Sequence, residues 1–214
     1  MQRSWLIPDP VRAFAAVLLA GLLGSVGGLL SESGPEDAFL PMFSRPALLR
    51  SGVEEALPGL EAVLRYSPEF EARDAEQGQA VPAELGEGEK RAPPYQEWGR
   101  REMYRTAFWR PNASTAGGPL EVQAETSMYG DINGARRAFA YWSERLATAA
   151  PALRPDVPAD ESAAYQMDSP PFVHQWVHFR KANGLGIVVV TGPSSQTMPD
   201  VAVELARRMA ERMR

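Results

Sequence analysis

The chain has 214 residues, a net charge of −5, 44% hydrophobic and 23% charged residues, and no cysteine. This length suits one domain of roughly 100–200 residues plus a short additional segment. The mildly acidic charge and the lack of a Lys/Arg-rich run exclude nucleic acid as an expected partner, because binding to phosphates needs a basic surface. The lack of cysteine excludes disulfides, thiol catalysis and thiolate metal sites.

The N-terminal part contains an uncharged apolar segment at residues 13–30, with Arg3 and Arg12 before it and Glu32 after it. Flanking arginines hold the N-terminus on the cytoplasmic side of a membrane. We therefore predict that residues 1–33 are a signal peptide or an N-terminal transmembrane anchor, and that the remainder is extracytoplasmic. Both alternatives stay open, because about 18 apolar residues is the lower limit for spanning a bilayer and slightly long for a signal core.

The exported part is predicted to be secreted if the segment is cleaved, or anchored to the cytoplasmic membrane through residues 13–30 if it is not. Residues 34–58 combine prolines with apolar residues, which predicts a linker with a short helix that docks on the domain. Residues 59–214 form the predicted single domain. It opens with a strand-like stretch at 59–73 and an acidic, Gly/Pro-punctuated loop at 74–94.

Period-two alternation predicts strands at residues 102–109 and 120–129. A helix follows, with Asp131 at its start and an apolar face that includes Phe139. Three more strands are predicted, the last of them (LGIVVVT) fully buried, before a closing helix that begins at Thr197. The last three predicted strands span residues 162–168, 172–180 and 185–191.

Short connections between sequential strands favour antiparallel pairing. The predicted fold class is therefore α+β: a twisted antiparallel sheet of about five to six strands, covered on one face by two helices, after the N-terminal apolar helix.

The two histidines, His174 and His178, have a spacing that would suit metal ligands on a helix, but they lie in a predicted strand. Four strand residues span about 13 Å, so the rings share a face without meeting at one ion. The GPSSQ segment lacks the second glycine of a nucleophile elbow, and GDING lacks the lysine of a phosphate-binding loop. No metal, cofactor or catalytic site is predicted. An exported hydrolase with dispersed catalytic residues stays the alternative.

Aromatic and histidine side chains are the remaining candidates for a site. They either line a cleft for an apolar ligand or a partner, or pack in the core. The candidate cleft residues are Trp98, Tyr104, Trp109, His174, Trp176 and His178.

Four segments carry a resemblance to a known family: EWGRREMYRTAF (97–108), YGD (129–131) leading into GARRAF, the GIVVVTG strand, and the closing VELARRM helix. Together they make roughly residues 60–214 resemble the exported bacterial PsbP-like domains (Mog1/PsbP type). The resemblance implies a twisted antiparallel sheet backed by helices and a role in binding or assembly. The chain departs from the lipoproteins of this kind in lacking a lipobox cysteine. We therefore expect a non-enzymatic, exported or membrane-anchored module that binds a protein partner or an apolar ligand.

Overall fold

A computed structural model describes residues 48–49, 53–72, 81–82, 94–111, 118–194 and 200–214. The predicted apolar segment at 13–30 and most of the predicted loop at 74–94 lie outside these ranges. Among the described residues, no helix has the length and apolar character that crossing a bilayer requires.

Five long strands and two long helices make up most of the domain. The predicted strands and the helix after Asp131 are confirmed to within two residues at each end, and the Asp131 carboxylate caps that helix by accepting from the Gly134 N–H at 2.7 Å. The stretch predicted as a strand at 59–73 is instead a short helix followed by a two-residue strand. The predicted start of the last helix at Thr197 lies outside the described residues. In chain order the elements are α1 (Leu60–Leu64), β1 (Glu71–Ala72), β2 (Val81–Pro82), β3 (Arg100–Trp109), β4 (Glu121–Tyr129), α2 (Ile132–Ala147), β5 (Glu161–Ser169), β6 (Phe172–Lys181), β7 (Gly184–Pro193) and α3 (Val201–Arg212).

All strand pairs in the sheet are antiparallel, which confirms the predicted α+β class. The strand order is β1-β3-β4-β7-β6-β5, and β2 also pairs with β3. Strand β7 lies in the middle, between β4 and β6. This central position explains the unbroken apolar run that the sequence shows there, since a central strand is covered on both faces.

The two long helices cover opposite faces of the sheet, so the prediction that both cover one face is wrong. On β6, the His178 ring contacts Phe139 of α2, with ring centroids 4.7 Å apart. The neighbouring residue Val177 belongs instead to the core cluster that includes Leu205 and Met209 of α3. Successive strand residues point to opposite faces. The physical reason is that the central strand is apolar on both sides, and each side needs its own cover.

The face under α3 holds the main core, and part of the predicted linker belongs to it. Leu49, Val53, Ala56 and Leu57 all lie in this cluster. The Thr126 hydroxyl donates to the Val53 carbonyl at 2.7 Å, which fixes the segment on β4. Leu49 and residues 53–57 are therefore an integral part of the folded domain.

Asn183, in the turn between β6 and β7, holds the same segment by its side chain. Its Oδ1 accepts from the Leu49 N–H at 2.7 Å, and its Nδ2 donates to the carbonyls of Leu49 at 3.3 Å and Tyr129 at 2.8 Å. Asn183 is 3% exposed. Because these backbone groups are buried, the carboxamide supplies partners that they would otherwise lack.

Candidate functional site

His178 lies at the centre of a small polar cluster beneath α2. Its ring is fully buried, its Nε2 is 2.9 Å from the Ser143 hydroxyl oxygen, and it stacks on Tyr165 with ring centroids 5.8 Å apart. Burial lowers the pKa of His178 to about 4, with a smaller opposing effect from the Phe139 backbone. The imidazole is therefore neutral near pH 7, and its bond to Ser143 joins α2 to the sheet.

This serine–histidine contact contains two of the three groups that the hydrolase alternative requires. In the described part of the chain, no carboxylate is hydrogen-bonded to His178, and the Tyr165 hydroxyl donates to the Ser143 carbonyl at 3.2 Å instead of completing a triad. A working triad needs a third group that orients the base and an open nucleophile. The geometry gives no reason to prefer a hydrolase.

Aromatic residues of α2 and of the segments packed against it form a chain of contacting rings. Successive centroid distances are 5.8 Å from Tyr95 to Trp98, 5.5 Å from Trp98 to Tyr141, 5.6 Å from Tyr141 to Trp142, and 5.2 Å from Trp142 to Trp176. These are the offset and edge contacts that aromatic rings adopt in protein cores. Trp98 and Trp176 are therefore packing residues between α2 and the sheet.

The three remaining candidate cleft residues are spread over the sheet. His174 is buried on β6, where its Nδ1 lies 3.0 Å from the Thr191 hydroxyl, and burial lowers its pKa. Trp109 lies at the end of β3, and by alternation Tyr104 points to the opposite face, against the main core. Within the described ranges, Trp176 is the one member of the six that lines either of the two cavities described below. Among the described residues, no group of three or more His, Asp or Glu side chains is placed to hold a metal ion.

A cavity of about 560 Å³ lies on the other face, and we call it the α3 cleft. It is bounded by the first half of α3, by the middle of β5 and β6, and by residues 153–156. Its volume falls within the range of roughly 300–1,000 Å³ that is typical of small-molecule sites. Trp176 borders it through its place in β6, although its ring packs against Trp142 on the far face.

Two glutamines form the polar floor of the α3 cleft. Gln166 on β5 and Gln175 on β6 are direct cross-strand partners, with Ala164 and Val177 beside them. The Gln175 Oε1 atom is buried and has no hydrogen-bond partner among the described residues. Leaving such an acceptor unsatisfied costs about 1–3 kcal/mol.

Charged side chains surround the opening of the α3 cleft, and most of them are paired. Arg207 lies 2.6 Å from Asp156, and Glu204 accepts from Arg65 at 3.1 Å and from the Tyr66 hydroxyl at 2.8 Å. Burial, with this hydrogen bond to Glu204 as a smaller cause, raises the pKa of Tyr66. These contacts tie α3 to residues 65–66 and to the loop at Asp156, so three separate segments give the cleft its shape.

A second cavity of about 290 Å³ lies at the opposite end of α3, beside Leu49, Met128 and Asn183. The Asn183 carboxamide that lines this cavity already has hydrogen-bond partners, since it bonds to the backbone of Leu49 and Tyr129. The α3 cleft is larger and has an unsatisfied acceptor, and it is therefore the stronger candidate site.

Neither Gln166 nor Gln175 is among the predicted site residues, because nothing in the local sequence distinguishes these two glutamines. The pairing of the two glutamines could have been found only from the register of β5 and β6. Pairing the two predicted strands across the turn at Pro170–Pro171 brings the glutamines opposite each other, on the face away from His174 and His178.

Comparison with known proteins bears on the fold alone. No family model matches the sequence, and no curated protein matches it. Among solved structures, the chain is similar to the extracellular domain of PknH from Mycobacterium tuberculosis, with 10% sequence identity and a TM-score of 0.52, over 79% of this chain and 97% of that one. This likeness supports the observed arrangement of sheet and helices. The resemblance to PsbP-like domains stays a prediction.

Proposed function

We propose that this protein is an extracytoplasmic, non-enzymatic module that binds a small ligand with an apolar body and hydrogen-bonding groups in the α3 cleft. It is secreted, or tethered to the cytoplasmic membrane by residues 13–30. The ligand-sized α3 cleft, lined by the paired side chains of Gln166 and Gln175 and by apolar residues, is the observation that carries the proposal. The apolar N-terminal segment and the fold shared with a domain described as extracellular support the location.

A small ligand is favoured over a flat apolar protein interface. Within the described ranges, only Leu48, Leu64 and Leu153 are large hydrophobic residues with exposed side chains. Surfaces that bind proteins through apolar contact usually present a contiguous patch of several hundred Å². Leu153 borders the α3 cleft, where it adds to the apolar wall of a pocket.

The test is a thermal-shift screen of the full chain against a diverse small-molecule library, repeated on two variants. Gln166→Trp places an indole in the α3 cleft, and because Gln166 is an exposed residue the fold should be retained. Ala140→Trp adds the same ring at an exposed position of α2, on the other side of the sheet. We expect ligands that raise the melting temperature of the wild type and of Ala140→Trp, and that have no effect on Gln166→Trp.

Equal shifts on Gln166→Trp would mean that binding occurs elsewhere. A library without any ligand for the wild type would argue against a ligand-binding function. Circular dichroism of both variants establishes that they are folded before the comparison is made.

A further inference from the structure

We propose that the ligand of the α3 cleft is a short peptide with free termini, or a related zwitterionic amino-acid derivative. This inference rests on the proposed function and specifies its ligand. It follows from the chemistry of three parts of the cleft: its unpaired charges, its carboxamide floor and its apolar wall.

Two opposite charges at the cleft lack ion-pair partners in the part of the chain that the structure describes. Arg154 and Asp200 both line the cavity and are both exposed. The Asp200 carboxylate does not cap α3, although it stands at the start of that helix. The other acidic groups of the lining, Asp156 and Glu204, are held by arginines. One guanidinium and one carboxylate thus remain for a ligand that carries both signs.

A peptide satisfies both charges and the floor at once. Its carboxylate matches the two-pronged guanidinium of Arg154, and its ammonium group matches the carboxylate of Asp200. The exposed Gln166 carboxamide in the same cleft can donate to a peptide carbonyl. A purely apolar ligand would leave both charges without a partner.

The remaining wall suits an aliphatic side chain. Ala164, Val177 and Val203 line the cavity beside the glutamines, and Leu153 closes it with a side chain that is 60% exposed. Burying a ligand side chain against these residues removes apolar surface from water, which contributes roughly 25 cal/mol per Å². Short peptides with aliphatic side chains are therefore the expected ligands.

The experiment is isothermal titration of the full chain with a panel of aliphatic dipeptides, each in two forms. One form has free termini, and the other is N-acetylated and C-amidated, which keeps the peptide body and removes both charges. We expect the free forms to bind at least about fivefold more tightly, as exposed ion pairs allow. Arg154→Gln should remove most of this preference. Arg136→Gln, at an exposed position of α2, is the matched control and should retain it.

Blocked dipeptides that bind as tightly as free ones would overturn the zwitterion inference. So would a preference that survives Arg154→Gln. If no dipeptide binds while library compounds still give shifts that Gln166→Trp abolishes, the peptide inference fails and the proposed function stands. If the library also gives none, both fail.

Discussion

At the residue scale, His178 shows how a polar side chain becomes part of a core. Its ring is enclosed by Phe139 and Tyr165, and its side-chain hydrogen bond joins it to the Ser143 hydroxyl. An imidazolium at this position would be desolvated with no carboxylate bonded to it in the described residues. Burial therefore favours the neutral ring, and folding becomes sensitive to pH.

We expect the domain to lose stability as the pH falls from about 6.5 to 4. The pKa of His178 is about 4 in the folded state against 6.5 as its ordinary value, so the unfolded chain binds a proton in this window and the native chain does not. This difference corresponds to about 3 kcal/mol, fully present above pH 6.5 and lost by pH 4. The lowered pKa of His174 acts in the same direction. Urea unfolding as a function of pH measures the effect.

His178→Gln is the informative variant, since its carboxamide can still bond to Ser143 but does not titrate. Its free energy of unfolding should vary less over this pH window than that of the wild type. An equal slope in both proteins would show that His178 is not the group responsible.

At the element scale, helix α2 is positioned by close contact with the chain that precedes β3. A Cβ added at Gly134 would fall on the carbonyl oxygen of Trp98, and the Tyr129 side chain lies 3.3 Å away. The obstacle is backbone, which cannot move aside as the tip of a side chain can. Glycine at this position of the helix is therefore a packing requirement.

Gly134→Ala should destabilise the domain by about 2 kcal/mol, although alanine gains about 1 kcal/mol over glycine in helix propensity. The close approach outweighs that gain because α2 and the turn at Trp98 must move apart to relieve it. Gly59→Ala is the control, since a Cβ at Gly59 meets nothing within 4 Å. Denaturant unfolding of both variants checks the prediction, and a Gly134→Ala protein at least as stable as the wild type would refute it.

Local sequence patterns predict the long strands but not the α3 cleft. The period-two alternation of side chains in β3 and β4 reflects the different environments on the two faces of each strand. This alternation is what predicts the two strands from the sequence. The run LGIVVVT in β7 already required cover on both faces, and this signal contradicts the prediction of helices on one face. The α3 cleft could not be predicted in the same way. It is made where residues 153–156, two strands and α3 meet, and such contacts depend on tertiary packing and not on any local pattern.

At the scale of the whole molecule, α3 connects the two ends of the domain. The first residues of α3 line the α3 cleft. Met213, just after the end of α3, is buried beside Leu49, because a Cβ at Gly184 would contact the side chains of both residues. Twelve helical residues span about 18 Å. The cleft therefore lies at the opposite end of α3 from Leu49.

Protease treatment of cells that express the full chain determines on which side of the cytoplasmic membrane the domain lies. With the outer layers of the cell removed and the cytoplasmic membrane intact, added protease should degrade the domain while a cytosolic marker protein survives. Mass spectrometry of the untreated product should then show either a chain that starts near Gly34 or the intact chain with residues 13–30. A domain protected until the cells are lysed, together with the cytosolic marker, would contradict an extracytoplasmic function.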